Sequence, residues 1–147
     1  MRKLTLKNTV NRILDANINR AKEGLRVCEE ITRFILEDAK LTIELKNIRH
    51  KISTLIKNLS PRLELVKERD SAKDIGKNIY GNELKRKNTT DIFFANIQRV
   101  KESVRVLEEF SKLININAAV GFKKIRYNVY ELEKKITKKF TPLRCNR

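Results

Sequence analysis

Residues 15–35, DANINRAKEGLRVCEEITRFI, align without a gap to residues 94–114, FANIQRVKESVRVLEEFSKLI. Eleven of the 21 positions are identical, among them Asn17/Asn96, Arg20/Arg99, Glu23/Glu102, Arg26/Arg105, Glu29/Glu108 and Glu30/Glu109. A repeat of this quality constrains the architecture before any single residue does, because both copies must bury the same kind of face. After a two-residue adjustment the similarity continues: residues 45–59 match 122–136 through Lys46/Lys123, Ile48/Ile125, Arg49/Arg126, Leu55/Leu132 and Lys57/Lys134. Apolar residues recur at Leu41, Leu45, Ile48, Ile52, Leu55 and Leu59, and again at Phe122, Ile125, Val129, Leu132 and Ile136. That spacing is helical. Each copy is therefore expected to be a helical hairpin, repeat 1 over about 12–59 and repeat 2 over about 91–136.

Neither hairpin alone covers its apolar stripe. The expected fold is all-α, a four-helix bundle with a pseudo-two-fold axis. All 147 residues are expected to form one domain, with a long central loop over about 60–90. Within the loop, Ser60-Pro61 opens a short helix through Glu64-Leu65-Val66, after which the pattern dissolves. Thr89 or Thr90 is the expected N-cap of the third long helix, and the residues after Phe140 read as a frayed tail. A loop this long in a compact domain is usually functional.

On a wheel of 100° per residue, the first helix places Asn17 and Arg20 within its apolar sector. Asp15, Asn19, Lys22, Arg26, Glu29 and Arg33 fall opposite, with Glu23 and Glu30 on the border nearest Arg20. The third helix repeats the pattern with Asn96, Arg99, Glu102 and Glu109. Buried Asn and Arg must be paired or face a cavity. Two readings stand side by side: a structural network, with Arg20 held by Glu23 or Glu30 and Asn17 bonding across the bundle, or an anion pocket at the pseudo-symmetry axis. Arg49 and Arg126 sit at the edges of the second-helix stripes and could snorkel or point inward. Mid-helix Gly24 implies close approach of a backbone or a ligand, and its counterpart Ser103 is also small. His50 lies outward.

In the loop, Arg69-Asp70-Ser71 and Asp74-Ile75-Gly76 place two carboxylates four apart beside a hydroxyl and an arginine. Hard oxygen donors suit Mg²⁺; ordinary turn chemistry is the competing reading. The net charge of +16, from 34 basic and 18 acidic residues, favours anionic partners. Nucleic acid ranks low among them, because no recognised motif is present and aromatics are few. Cys28 reads as a small buried hydrophobe and Cys145 as a tail thiol, with no disulfide or metal site between them. No apolar run reaches the length of a membrane span, so a cytoplasmic protein is expected. Phosphate-binding and dinucleotide-binding glycine motifs, HExxH, CxxC and a nucleophile elbow are all absent.

The stretches RILDANINRAKEGLRVCEEITRF, KNIRH, RDSAKDIG, ANIQRVKESVRVLEEF and IRYNVYELEK, in that order and spanning about Arg12 to Lys135, resemble the small helical hydroxymethylpyrimidine phosphate kinase family. That domain often precedes thiamin-phosphate synthase in fused bacterial proteins and also occurs alone. Ser71 and Ile75 depart mildly from the family's usual loop. The resemblance implies phosphoryl transfer from ATP, with Mg²⁺, to the pyrimidine monophosphate, and a separately encoded synthase as partner for the next step. In such a reaction Arg20, Arg99, Arg26, Arg105 and Arg49 are candidates to neutralise phosphate oxygens, with Arg126 and Arg69 beside them. Asp70 and Asp74 are candidates for Mg²⁺. Asn17, Asn96, Glu23, Glu102 and Ser71 would contact substrate. The alternative is a non-catalytic pyrimidine-binding or docking domain. Three asymmetries between the copies (Gly24 against Ser103, Asp15 against Phe94, and a loop present once) suggest one asymmetric site. Phe94 is also a candidate homodimer contact.

Overall fold

Four long helices share one apolar core. The structure is a computed structural model that describes residues 5–78 and 81–145, without the side chains of 82 and 141–145. The described elements are α1 (Leu6–Glu30), α2 (Ala39–Lys57), the short α3 (Arg62–Lys67), α4 (Thr89–Ser111) and α5 (Ile116–Cys145). No strand occurs among the described residues. A π-helical turn, Ile31–Ile35, closes α1, and a 3₁₀ turn, Gly81–Leu84, interrupts the loop.

Each long helix packs on two others: α1 on α4 and α2, α5 on α4 and α2. Lys135 reaches Glu44 and Lys139 reaches Asp38. Rising numbers on α2 thus meet falling numbers on α5, which makes the pair antiparallel. The shared core is built from the two predicted stripes, including Leu45, Ile48 and Ile52 on α2 and Phe122, Ile125, Val129 and Ile136 on α5.

The caps repeat as well. Asp38 Oδ1 accepts from Leu41 N at 3.0 Å, and Asn115 Oδ1 accepts from Ala118 N at 3.2 Å. Each side chain satisfies an orphan N–H of its helix start. The cap of α4 is Asn88, whose Oδ1 accepts from Asp91 N at 2.8 Å. Thr89 and Thr90 instead lie within the first turn, because a threonine already in helical backbone cannot reach forward as Asn88 does. α1 also starts earlier than the repeat, with Thr5 as its cap. α5 runs on to Cys145 instead of fraying after Phe140, and the Cys145 side chain lies outside the described residues.

Gly24 marks a close crossing of α1 and α4. A Cβ there would stand 2.7 Å from Val100 Cγ2 and 2.9 Å from the Asn96 carbonyl oxygen. The glycine therefore admits the α4 backbone, not a ligand. Gly24→Ala is expected to lower stability despite alanine's higher helix propensity. Overpacking costs about 1–3 kcal/mol, against a propensity gain of about 1 kcal/mol. A urea midpoint equal to or above wild type would contradict this.

The copies diverge at one buried hydroxyl. Thr32 Oγ1 lies 2.8 Å from Thr42 Oγ1 and donates to the Glu29 carbonyl at 3.0 Å. The aligned positions hold Ser111 and Ala119, so Ser111 Oγ has lost its cross-helix partner and is buried without a hydrogen bond. Removing an unsatisfied buried hydroxyl relieves a cost of about 1–3 kcal/mol. Ser111→Ala should therefore raise the thermal midpoint, whereas Thr32→Ala should lower it.

Candidate functional site

The helical wheel placed charge on the wrong side at four positions, three on α1 and one on α4. Asp15 and Glu29, expected outside, are 7% and 4% exposed, while Arg20 and Arg99, expected inside, are exposed. A 100° wheel locates an apolar sector but cannot see which flanks later elements cover. α2 covers Glu29, and the loop after α3 reaches over Asp15.

Both buried carboxylates are met by arginine. Arg49 Nε and Nη2 donate to Glu29 Oε2 and Oε1 at 2.7 and 3.1 Å. In the second copy, Arg126 Nε and Nη2 both approach Glu108 Oε2 at 3.2 Å. The duplication thus encodes the same ion pair twice, joining α1 to α2 and α4 to α5. Hydrogen bonding to Glu29 raises the Arg49 pKa above its ordinary value. Arg26 lies 3.5 Å from Glu30, and Arg105 lies 3.2 Å from Glu109 and 3.4 Å from Glu108. The expected partnership of Arg20 with Glu23 or Glu30 does not form. Nor does Asn17 bond across the bundle: its Nδ2 donates to the Ile13 carbonyl at 2.8 Å, just as Asn96 Nδ2 donates to Ile92. A short amide readily shares the carbonyl four residues back in its own helix.

Asp15 has no equivalent in the second copy. Arg69 Nε and Nη2 donate to its Oδ2 and Oδ1 at 2.7 and 2.8 Å, and this fork fastens the central loop to α1. Hydrogen bonding to Asp15 raises the Arg69 pKa. Beyond the anchor the loop turns twice. Asp70 Oδ1 accepts from Lys73 N at 3.2 Å and Asp74 Oδ1 from Gly76 N at 2.8 Å. Both carboxylates therefore do turn work while facing α1.

Between that loop and α1 lies a cleft of about 610 Å³. From α1 it takes Arg12, Asp15, Asn17, Asn19, Arg20 and Glu23; from the loop it takes Arg69, Asp70, Ser71 and Asp74. Seven of the residues singled out in the sequence thus share one space. The rest do not join them. Arg26 borders a cleft of about 620 Å³ with Glu29 and Arg33, and Glu102, Arg105 and Arg126 border another of about 440 Å³ with Tyr130. Arg99 is exposed, and the Asn96 backbone is packed against Gly24. The paired Asn and Arg do not converge on one axial pocket, because the loop covers only one copy.

The charge balance of the cleft bears on its chemistry. Three arginines stand against four carboxylates, and Arg69 and Asp15 consume one of each. Arg12 and Arg20 remain against Glu23, Asp70 and Asp74. A phosphate entering here needs a further cation, and a divalent ion between Asp70, Asp74 and phosphate oxygens fits this donor set. No group of three or more His, Cys, Asp or Glu among the described residues forms a metal cage of its own. Mg²⁺ is commonly held by one or two carboxylates together with substrate phosphates. Sequence reasoning missed Arg12. It marked Asp15 against Phe94 as an asymmetry between the copies but set Asp15 on the outer face, without its partner Arg69.

The ThiD2 family matches residues 12–135. Thiamine-phosphate synthase of Nostoc punctiforme is 42% identical over 129 residues, covering 87% of this chain and 35% of that protein. The proteins of the same name from Rhodopirellula baltica and Synechocystis are each 39% identical, over 87% and 84% of this chain and 35% of theirs. The chain thus spans about a third of the length of the curated relatives it matches. No solved structure matches it. No described helix is long and apolar enough to cross a membrane.

Proposed function

The chain belongs to the ThiD2 family, and from that premise we propose that it transfers the terminal phosphoryl group of ATP to hydroxymethylpyrimidine monophosphate in thiamin biosynthesis. The observation that carries the reading is the single cleft under the loop, where Arg12 and Arg20 face Glu23, Asp70 and Asp74. An oxygen of the acceptor phosphate forms a bond to the γ-phosphorus. The bond from that phosphorus to the β–γ bridging oxygen breaks, and ADP leaves. No general base is needed, because the acceptor oxygen is already ionised.

Mg²⁺, when bound, neutralises charge on the nucleotide phosphates. Asp70 and Asp74 would hold it. Arg20 and Arg12 would neutralise the acceptor phosphate and align it, since such transfers depend on positioning and electrostatics. With Asn17 Nδ2 committed to Ile13, its Oδ1 is the group offered to a donor on the pyrimidine. Arg49 and Arg126, engaged by buried glutamates, act as structural ties in this reading. Arg26 and Arg105 lie outside the reacting centre.

Purified protein incubated with ATP, Mg²⁺ and the monophosphate should release ADP in proportion to diphosphate formed. Binding of the monophosphate with no ADP release at any protein concentration would replace the kinase with a delivery domain for the synthase.

A further inference from the structure

On the flank of α1 that faces α2 and α3, one lysine has lost what holds its counterpart. In the second copy Lys101 Nζ lies 2.8 Å from Glu133 Oε2 and 5.6 Å from the centre of the Tyr130 ring. Lys22 aligns with Lys101, but Ile56 stands where the second copy has Glu133, and Ser53 where it has Tyr130. The carboxylate and the ring that meet Lys101 are thus both missing. Lys22 is nonetheless half-buried, and its ammonium forms no ion pair or hydrogen bond with a described residue. The charges that act on it are of its own sign, Arg49 on α2 and Arg62 at the start of α3. Burial, then repulsion from these two, holds the Lys22 pKa below the ordinary lysine value. Arg49 is already engaged by Glu29, whereas Arg62 meets no carboxylate among the described residues. Cations drawn together and partly desolvated are costly until a counter-charge joins them.

We infer that Lys22 and Arg62 bind a doubly charged oxyanion of the phosphate type between α1, α2 and α3. Two cations without partners match two negative charges, and each can donate a charge-assisted hydrogen bond to a separate oxygen. The anion takes the role that Glu133 plays in the second copy. Neither Lys22 nor Arg62 lines the Asp70 cleft, so this site lies apart from the reacting centre and its occupant is not the reacting phosphate. Occupancy ties α3, and with it the start of the central loop, to α1. The inference does not rest on phosphoryl transfer.

The test is titration of the whole chain, at constant ionic strength, with inorganic phosphate, with sulfate and with chloride, following the lysine side-chain resonances. Phosphate and sulfate should shift Lys22 with a dissociation constant below about 10 mM, and chloride should not. Ile56→Glu rebuilds the second copy's arrangement. It should raise the Lys22 pKa in phosphate-free buffer and weaken phosphate binding at least about tenfold. Arg62 is exposed, so Arg62→Met folds whatever happens at position 56, and it should weaken binding by a similar factor. Lys22→Met should melt above wild type in phosphate-free buffer, because the unpaired charge is gone, and should lose the rise in midpoint that phosphate gives wild type. Arg20→Met, in the Asp70 cleft, should leave the Lys22 shift unchanged. Four results would each overturn the inference: no Lys22 shift with either dianion, an equal shift with chloride, undiminished affinity in Ile56→Glu or Arg62→Met, or loss of the shift in Arg20→Met.

Discussion

Arg49→Met is expected to destabilise the protein by about 3–5 kcal/mol, the cost of leaving a buried carboxylate without its partner. Glu29 is almost wholly buried, and Arg49 supplies both hydrogen bonds to its carboxylate. Met keeps much of the side-chain volume, so the loss reports the charge and not a cavity. The same change at Arg126 should cost clearly less. Glu108 retains Arg105 at 3.4 Å, and its bonds to Arg126 are longer and share one oxygen. Urea unfolding gives both numbers from midpoint and slope. Equal losses in the two variants, or a loss below about 1 kcal/mol for Arg49→Met, would show that the copies are not held as argued.

Asp70→Asn is expected to lower kcat for ADP formation by about 10²–10³-fold, the range seen when one transition-state electrostatic contact is removed. The amide still accepts from Lys73 N, so the turn survives while the charge that would hold Mg²⁺ is lost. Arg20→Met should raise KM for the monophosphate and lower kcat/KM by a comparable factor. Arg99→Met, at the matching place in the copy that the loop does not cover, should change either constant by no more than about threefold. Steady-state kinetics at saturating and limiting Mg²⁺ separate these effects. Loss of activity in Arg99→Met equal to that in Arg20→Met would mean that both copies contribute to one site.

The helices, their pairing and the core stripes were legible, because the apolar spacing repeats and each copy corroborates the other. Arg49 and Arg126 were recognised at the edge of the second-helix stripe, but their partners were not. Glu29 lies 20 residues from Arg49, and Asp15 lies 54 from Arg69. A periodicity argument sees one helix at a time and cannot anticipate what another will cover. The same blindness turned Arg20 and Arg99 inward, since the wheel widened the apolar sector to include them.

The site was partly legible for a different reason. Asn17, Arg20, Glu23 and the RDSAKDIG loop were each conspicuous, and a loop present once in a duplicated chain must break the symmetry somewhere. What could not be read was the place of the break. It is set by the Asp15–Arg69 fork, which needs Asp15 where the second copy has Phe94. Phe94 itself is partly exposed and packs edge-on against Phe93, with ring centroids 5.5 Å apart. Without an anion at that position, the second copy has nothing to anchor such a loop.

That the duplicated bundle is a scaffold, and the loop-covered copy alone the site, is tested most directly by amide hydrogen exchange with and without Mg²⁺ and the monophosphate. New protection is expected in residues 12–23 and 69–76, with residues 91–102 unchanged. Equal protection of 12–23 and 91–102, with the loop unaffected, would contradict it.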